Sequence, residues 1–166
     1  MTTIDASVFF QALGKSVSAP STQAVFESVG VSFKDELELL DGDYRTYIER
    51  PYSGVSFIFT DEAFFLGQAE RAIGQGTLYF TGIFFYSDGY DGYSGYANQL
   101  PFGLRFSDAP SDAEEKLGPA EWERRDTNGA LRARRWVLPD GRRLHLTFED
   151  ESAISIICFS VPDAAL

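Results

Sequence analysis

The chain contains few of the residues that form disulfides, bind metals or act as catalytic bases. Among its 166 residues there is one cysteine, Cys158, and one histidine, His145. A lone cysteine excludes an internal disulfide and a zinc site built from cysteines. Cys158 lies in an apolar segment, where a thiol is usually inert packing. His145 alternates with Leu144 and Leu146, which predicts that its side chain faces away from the core.

The motifs of common enzymes are missing as well. The sequence has no phosphate-binding loop and no dinucleotide fingerprint, and the GYSGY run at residues 92–96 lacks the last glycine of a nucleophile elbow. Asp88 and Asp91 are not followed by the closing glutamate that a calcium-binding loop needs. We therefore predict a protein that is not an enzyme and that holds no metal and no cofactor.

Positive charge and long apolar runs are scarce too. The 14 lysines and arginines are outnumbered by 25 aspartates and glutamates, which gives a net charge of −11. Because an acidic surface repels phosphate backbones, we expect no nucleic-acid partner. No run of about 18 apolar residues occurs, and the N-terminal residues do not read as a secretory signal. We expect a cytoplasmic protein with no membrane partner, a setting that suits an unpaired cysteine.

What the sequence does contain is a repeated pattern. Residues 18–21 read SAPS and residues 108–111 read DAPS, an offset of 90 residues (108 minus 18). Residues 59–62 read FTDE and residues 148–151 read FEDE, an offset of 89 residues (148 minus 59). Nearly equal offsets indicate an internal duplication. The alternative is two chance matches on an ordinary α+β domain.

Each copy predicts one helix followed by three strands. The helices begin at Pro20 and Pro110, because proline suits the first helical position, and they end before Gly30 and Gly118. The predicted ranges are 20–29 and 110–117 for the helices, 44–49, 55–60 and 77–86 for the strands of the first copy, and 131–138, 143–149 and 153–161 for those of the second. A further helix is predicted at residues 7–13, and residues 65–76 are an insertion, either a loop or one helical turn.

These elements predict an α+β fold. A helix with three strands buries too little surface alone, so the two copies are expected to share one antiparallel sheet of about six strands, with the helices on one face and the other face open. We expect a single domain over residues 1–166, in which repeat one with its extra helix spans 7–86, a linker spans 87–99 and repeat two spans 100–166.

This order of elements, with the DAPS and LG motifs, resembles the family of the beta-lactamase inhibitory protein. The resemblance implies an exposed concave sheet face that holds another protein. The segments LPFGLRFSD at 100–108 and KLGP at 116–119 are similar to segments of small cytoplasmic bacterial proteins of the toxin-immunity kind. That second resemblance implies an inhibitor that acts by direct binding.

Residues 86–96, the tyrosine loop, form the most unusual segment. The sequence YSDGYDGYSGY combines tyrosines, which give a large contact area, with glycines and serines, which let a backbone adapt to a partner. We predict contacts with a protein partner from Tyr86, Asp88, Tyr90, Asp91, Tyr93 and Tyr96. The alternative, which is compatible with the first, is that the tyrosines fold back over the sheet edge.

Two charged clusters are further candidates. The acidic connector, which carries Asp35, Glu36, Glu38, Asp41 and Asp43, is either a solvated, turn-rich segment or a negative patch for the basic surface of a partner such as a nuclease. The arginine cluster of the second copy is either an ion-paired strand face or a site for an anion or an acidic partner. Its members are Arg124, Arg125, Arg132, Arg134, Arg135, Arg142 and Arg143.

Together these features favour a cytoplasmic, non-enzymatic protein-binding inhibitor. We expect an immunity protein that neutralises a bacterial toxin domain with a basic surface. The alternative is a small-ligand-binding or regulatory module that uses the cleft between the two repeats, and a third hypothesis is a hydrolase whose site no motif marks. A deep apolar pocket with convergent polar groups would favour the second or the third hypothesis.

Overall fold

Over the residues that the computed structural model describes, namely 4–68, 70 and 72–163, the chain forms one seven-stranded antiparallel sheet and five short α-helices. The helices are α1 (Ala6–Phe10), α2 (Pro20–Glu27), α3 (Phe33–Glu36), α4 (Glu62–Phe65) and α5 (Pro110–Leu117). The strands are β1 (Arg45–Arg50), β2 (Val55–Asp61), β3 (Leu78–Tyr86), β4 (Trp122–Arg125), β5 (Leu131–Val137), β6 (Arg143–Asp150) and β7 (Ala153–Ser160). They lie in the order β1-β2-β3-β7-β6-β5-β4. The prediction of an α+β fold with one antiparallel sheet is confirmed.

The hydrophobic core lies between the helices and one face of the sheet. Helix α1 contributes Phe9 and helix α2 contributes Phe26, whose rings lie 4.9 and 5.0 Å from the ring of Phe57 on β2. Burying one such side chain stabilises the fold by roughly 1.5–3 kcal/mol, so this aromatic cluster fixes both helices on the same face. The strand residues of this face that are at most 1% exposed include Phe57, Phe59, Ile83, Phe85, Leu144, Leu146, Ile157 and Phe159.

Proline positions the two eight-residue helices. Helix α2 begins at Pro20 and helix α5 at Pro110, as predicted, and α5 has the predicted range. Helix α2 ends at Glu27 rather than at residue 29, because the amides of residues 29 and 30 bond to carbonyls three residues back, in a tighter turn than an α-helix. Helix α1 covers residues 6–10 rather than 7–13, and it too is followed by such a turn.

Strand ends agree with the prediction to within one residue, but two elements are absent from it: α3 and β4. All four side chains of β4 are exposed, so its sequence WERR has none of the alternation that marks a half-buried strand. Pairing with β5 holds β4 in place, and the ion pair between Glu121 and Arg135, 2.8 Å apart, lies beside it. The sheet therefore has seven strands where about six were expected.

The described residues of the insertion after Phe65 form turn and loop, the first of the two predicted alternatives. One helical turn, α4, lies immediately before it, and Asp61 caps this turn by accepting a hydrogen bond from the amide of Ala63 at 3.0 Å. Residues 66–68, 70 and 72–76 are turn and loop, while residues 69 and 71 lie outside the described residues. The carboxylate of Asp61 also accepts from the amide of Gly74 at 2.8 Å, which ties the loop to the end of β2.

The ladders in the two halves of the sheet have matching registers. Phe57 lies opposite Ile83 in the β2–β3 ladder, and Leu146 lies opposite Ile157 in the β6–β7 ladder. All four side chains are completely buried. Strands β3 and β7 then pair with each other at the centre of the sheet. The two halves of the sheet are therefore joined through β3 and β7, which follow β2 and β6 in the chain.

Both ladders also contain a bulge at the same place. In β3 the bulge leaves Thr81 without an opposite residue, and in β7 it leaves Ser155 without one. Both side chains are buried, and both hydroxyls donate across the ladder. That of Thr81 donates to the carbonyl of Ile58 at 3.5 Å, and that of Ser155 donates to the carbonyl of Thr147 at 3.0 Å. The hydroxyl of Thr81 also lies 2.7 Å from that of Thr60, so both bulge hydroxyls are hydrogen-bonded although they are buried.

Gly54, at the end of the turn from β1 into β2, is the point where the tyrosine loop meets the sheet. Its φ of 71° is in the left-handed region. A Cβ atom at this position would lie 2.4 Å from the backbone nitrogen of Tyr96 and 2.5 Å from the carbonyl oxygen of Ser94. The loop backbone therefore packs directly against a residue that has no side chain.

Replacing Gly54 with alanine is expected to destabilise the protein more than replacing Gly30, the matched control. Gly30 has a similar φ of 77°, but no atom lies within 4 Å of its Cβ position. A left-handed backbone alone costs about 1–2 kcal/mol for alanine. Gly54→Ala should cost more, because its methyl group must also displace the backbone of the tyrosine loop. Urea unfolding of the two variants measures the difference. Equal losses would show that the loop does not rest on Gly54.

Candidate binding face

The sheet face opposite the helices, here called the open face, carries the candidate site. One cross-strand row on this face runs through every strand of the sheet: Glu49, Ser56, Phe84, Cys158, His145, Arg135 and Trp122. Large side chains at its margins are exposed, with Tyr47 at 51% and Trp122 at 38%. The face therefore combines an apolar centre with aromatic and charged margins.

An acidic concavity of about 560 Å³ lies where the tyrosine loop leaves the open face. Phe84 on β3 and Ile156 on β7 contribute its apolar surface, and Asp88, Asp91 and Glu149 contribute three carboxylates. The remaining lining residues are Tyr86, Ser87, Gly89 and Tyr90. Four predicted partner-binding residues, namely Tyr86, Asp88, Tyr90 and Asp91, thus come together around one cavity.

The other tyrosines of the loop are buried in the fold. The hydroxyl of Tyr96 donates to the carbonyl of Ile4 at 2.9 Å and accepts from the amide of Ala6 at 3.0 Å. The rings of Tyr86 and Tyr93 stack with their centroids 3.7 Å apart. Burial raises the pKa of all three phenols above the ordinary value, so they stay neutral. Tyr93 and Tyr96 therefore hold the loop on the sheet, which is the second of the two sequence alternatives.

The backbone of the loop fixes the position of its acidic residues. Gly89 and Gly92 have φ values of 81° and 78°, and Asp91 between them has a φ of 51°. Aspartate tolerates this left-handed conformation better than most residues. The carboxylate of Asp88 accepts from the amide of Gly95 at 3.2 Å, which closes the base of the loop. Asp91 is left exposed beside the concavity.

The acidic connector does not belong to this site. All five of its acidic residues, Asp35, Glu36, Glu38, Asp41 and Asp43, are exposed. Glu36 forms an ion pair with Arg50 at 2.7 Å, and Asp35 accepts from the hydroxyl of Ser32 at 2.9 Å. Among the described residues, the lining of the acidic concavity includes none of the five. The two predicted groups of partner-binding residues therefore lie on separate surfaces.

Most of the arginine cluster is ion-paired. Five members have acidic partners within 3.5 Å: Arg125, Arg132, Arg134, Arg135 and Arg142. Such surface pairs typically contribute about 0–1 kcal/mol each. In the part of the chain that the structure describes, Arg124 and Arg143 have no acidic partner. Their register positions place both on the open face. The cluster thus fits the ion-paired alternative except at two positions.

Sequence reasoning did not find Phe84, Ile156 and Glu149 as site residues. Strands β3 and β7 are apolar on both faces, and such a pattern normally indicates a strand covered on both sides. Here the second apolar face forms the surface of the concavity instead. The juxtaposition of Glu149 with Asp91 depends on pairing between distant strands, so no local pattern in the sequence marks it.

His145 lies on the open face, as its alternation with leucines predicts, and Cys158 lies directly opposite it on β7. Burial raises the pKa of the Cys158 thiol to about 12. Burial, together with the nearby Arg135 and Arg124, lowers the pKa of His145. A thiol with so high a pKa is protonated at neutral pH, and only the thiolate is a good nucleophile. The pair therefore lacks the electrostatics of a catalytic dyad.

In residues 4–68, 70 and 72–163, no three His, Cys, Asp or Glu side chains are grouped so that they could hold a metal ion. Over the same ranges no helix has the length and apolar character needed to cross a membrane.

Replacing Tyr96 with phenylalanine is expected to reduce the free energy of unfolding by about 1–3 kcal/mol, because the buried amide of Ala6 loses its hydrogen-bond partner. The matched control is Tyr90→Phe, which removes a hydroxyl at the concavity and should change stability by less than about 0.5 kcal/mol. Chemical unfolding measures both. A loss for Tyr90→Phe as large as that for Tyr96→Phe would contradict the division of the loop into the half-buried Tyr90 and the buried tyrosines.

Comparison with known proteins adds no relative. No protein-family model, no curated protein and no solved structure matches the chain. The resemblance to the beta-lactamase inhibitory protein family and to toxin-immunity proteins therefore stays a prediction, and the candidate site rests on its own geometry.

Proposed function

We propose that this chain is a non-enzymatic binding protein that holds a protein partner with a basic surface against its open face. The observation that carries this proposal is the acidic concavity. Its carboxylates from Asp91 and Glu149 have no basic partner among the described residues, and its apolar surface is formed by Phe84 and Ile156. This combination suits the side chain of a lysine or an arginine.

The chemistry of those two side chains matches both parts of the concavity. Their methylene stems cover apolar surface while the charged end reaches for polar groups. The stem would lie along Phe84 and Ile156, and the charged end would reach Asp91 and Glu149. An ion pair in a partly enclosed site is stronger than one on a flat surface, since the surrounding dielectric constant is lower.

The charge of the whole chain supports the same class of partner. A net charge of −11 attracts basic proteins and accelerates their association. We infer the narrower form of this function from the same features: an inhibitor that acts in the cytoplasm as an immunity protein and covers the active site of a basic toxin domain. A face held by seven paired strands meets a partner without large rearrangement, which is typical of tight inhibitors.

We also propose that the fold arose from the tandem repeat indicated by the sequence. Matching ladder positions support it, because Phe57 corresponds to Leu146 at an offset of 89 residues (146 minus 57), the offset of the FTDE and FEDE motifs. The bulges at Thr81 and Ser155 support it independently. A crystal structure should superpose residues 18–62 on residues 108–151 with α2 on α5 and β2 on β6. Failure of these two elements to superpose together would leave only two chance sequence matches.

A short basic peptide tests the proposed site directly. We expect the peptide acetyl-Gly-Arg-Gly-amide to shift the NMR amide signals of Gly89 and Asp91 with a dissociation constant on the order of 1 mM. The uncharged peptide with norleucine in place of arginine should bind more weakly. The double variant Asp91→Asn/Glu149→Gln removes two ion-pair partners, which corresponds to about 1 kcal/mol and hence about fivefold weaker binding.

The matched control removes the same charge from the acidic connector. Asp41→Asn/Asp43→Asn should leave peptide binding unchanged, because neither residue lines the concavity. If the connector variant weakens binding as much as the concavity variant, only net charge matters and the site is wrong. Equal binding of the norleucine peptide would contradict recognition of a basic side chain. If the protein is an immunity protein, Asp91→Asn/Glu149→Gln should also protect cells less well from the toxin than the wild type does.

A further inference from the structure

A second cavity lies on the open face, on the other side of Phe84 from the acidic concavity. Its volume is about 190 Å³, and Phe84 lines both cavities. Its polar lining includes Arg45, Arg143 and Asp163, and its remaining lining residues are Tyr47, Ile58, Thr81, Cys158, Ser160, Val161 and Pro162. Among the described residues, Asp163 is the one carboxylate in this lining. We call it the arginine cavity.

Three polar groups of the arginine cavity lack partners among the described residues. Asp163 is 5% exposed and forms an ion pair with Arg45 through its Oδ2 atom, whereas its Oδ1 atom has no hydrogen-bond partner. The Nε atom of Arg45 is also buried without a partner. Arg143 has no acidic partner in the described part of the chain. A buried polar atom without a partner costs about 1–3 kcal/mol, so a ligand that supplied the missing hydrogen bonds would be stabilised here.

The unpartnered groups define the chemistry of the missing ligand. Two guanidinium groups and one carboxylate give the cavity a net positive charge, so the ligand is an anion. The arginines need hydrogen-bond acceptors, while Oδ1 of Asp163 needs a donor. A carboxylate or a sulfate ion accepts hydrogen bonds but has no proton to donate near neutral pH. A phosphate group with one protonated oxygen both accepts and donates. With a second pKa of about 6, about a tenth of a phosphomonoester still carries that proton at pH 7.

We propose that the arginine cavity binds a single phosphate group, either as the free ion or as a phosphomonoester. The cavity volume of about 190 Å³ gives room for one phosphate group. The proposal names a ligand for the small-ligand hypothesis drawn from the sequence. It is independent of the proposal that the acidic concavity holds a basic partner.

The test compares anions at equal ionic strength near neutral pH. We expect inorganic phosphate to raise the melting temperature relative to chloride, and to raise it more than sulfate, which has a similar shape but no proton. Phosphate should also shift the NMR amide signals of Gly82 and Ser160 and leave those of Gly89 and Asp91 unchanged. O-phosphoserine serves as the monoester. Tighter binding of phosphoserine than of inorganic phosphate assigns the site to a phosphomonoester, and the reverse assigns it to the free ion.

Arg143→Met should weaken phosphate binding at least tenfold, since it removes a charged donor from the cavity. The matched control is Arg124→Met, because Arg124 also lies on the open face without an acidic partner but does not line the cavity. Equal weakening by the two variants would show a general charge effect and overturn the site. Sulfate acting as strongly as phosphate would overturn the phosphate assignment, and so would wild-type protein that responds to neither anion.

Discussion

The pairing of β3 with β7 at the centre of the sheet is the interaction on which the rest of the structure depends. It places Phe84 opposite Cys158 and joins two three-stranded ladders into one sheet. Phe85 and Ile157, also opposite each other, face the helices in the core, whereas Phe84 and Ile156 face outwards and line the acidic concavity. The same junction therefore supplies the centre of the core on one side and the floor of the candidate site on the other.

A protein that covers only one face of such a sheet must stabilise the second face in another way. The tyrosine loop covers part of it, with Tyr93 stacked on Tyr86. The β4–β6 side is covered by long charged side chains, as where the guanidinium of Arg135 lies 5.2 Å from the centre of the Trp122 ring. Between these two regions the face stays open, and both cavities lie there. The candidate sites are the part of the sheet that its own chain leaves uncovered.

Local signals in the sequence predict local structure well in this chain. Proline at residues 20 and 110 marks the helix starts, and alternation in β6 separates Leu144 and Leu146 from His145. These local signals do not predict β4, because none of its side chains is buried and its sequence therefore shows no alternation. Local signals do not predict the candidate sites either, because the sites depend on contacts between residues far apart in the sequence. Tyr96 bonds to Ala6 over a separation of 90 residues, and Asp163 pairs with Arg45 over 118. Composition identifies the tyrosine loop as unusual, but it does not show that Tyr93 and Tyr96 are buried while Tyr90 is only half-buried.

The two outermost strands of the sheet have a consequence for self-association. A sheet edge presents unpaired backbone groups to which another chain can add a strand, and charged side chains and short length discourage this. The edge strand β4 has four residues, three of them charged, and the opposite edge strand β1 contains Arg45, Glu49 and Arg50. Both edges are therefore poor templates for further strands. Since further strands are disfavoured at both edges, the open face is the part of this sheet that remains accessible to another chain, and it offers side chains rather than unpaired backbone groups.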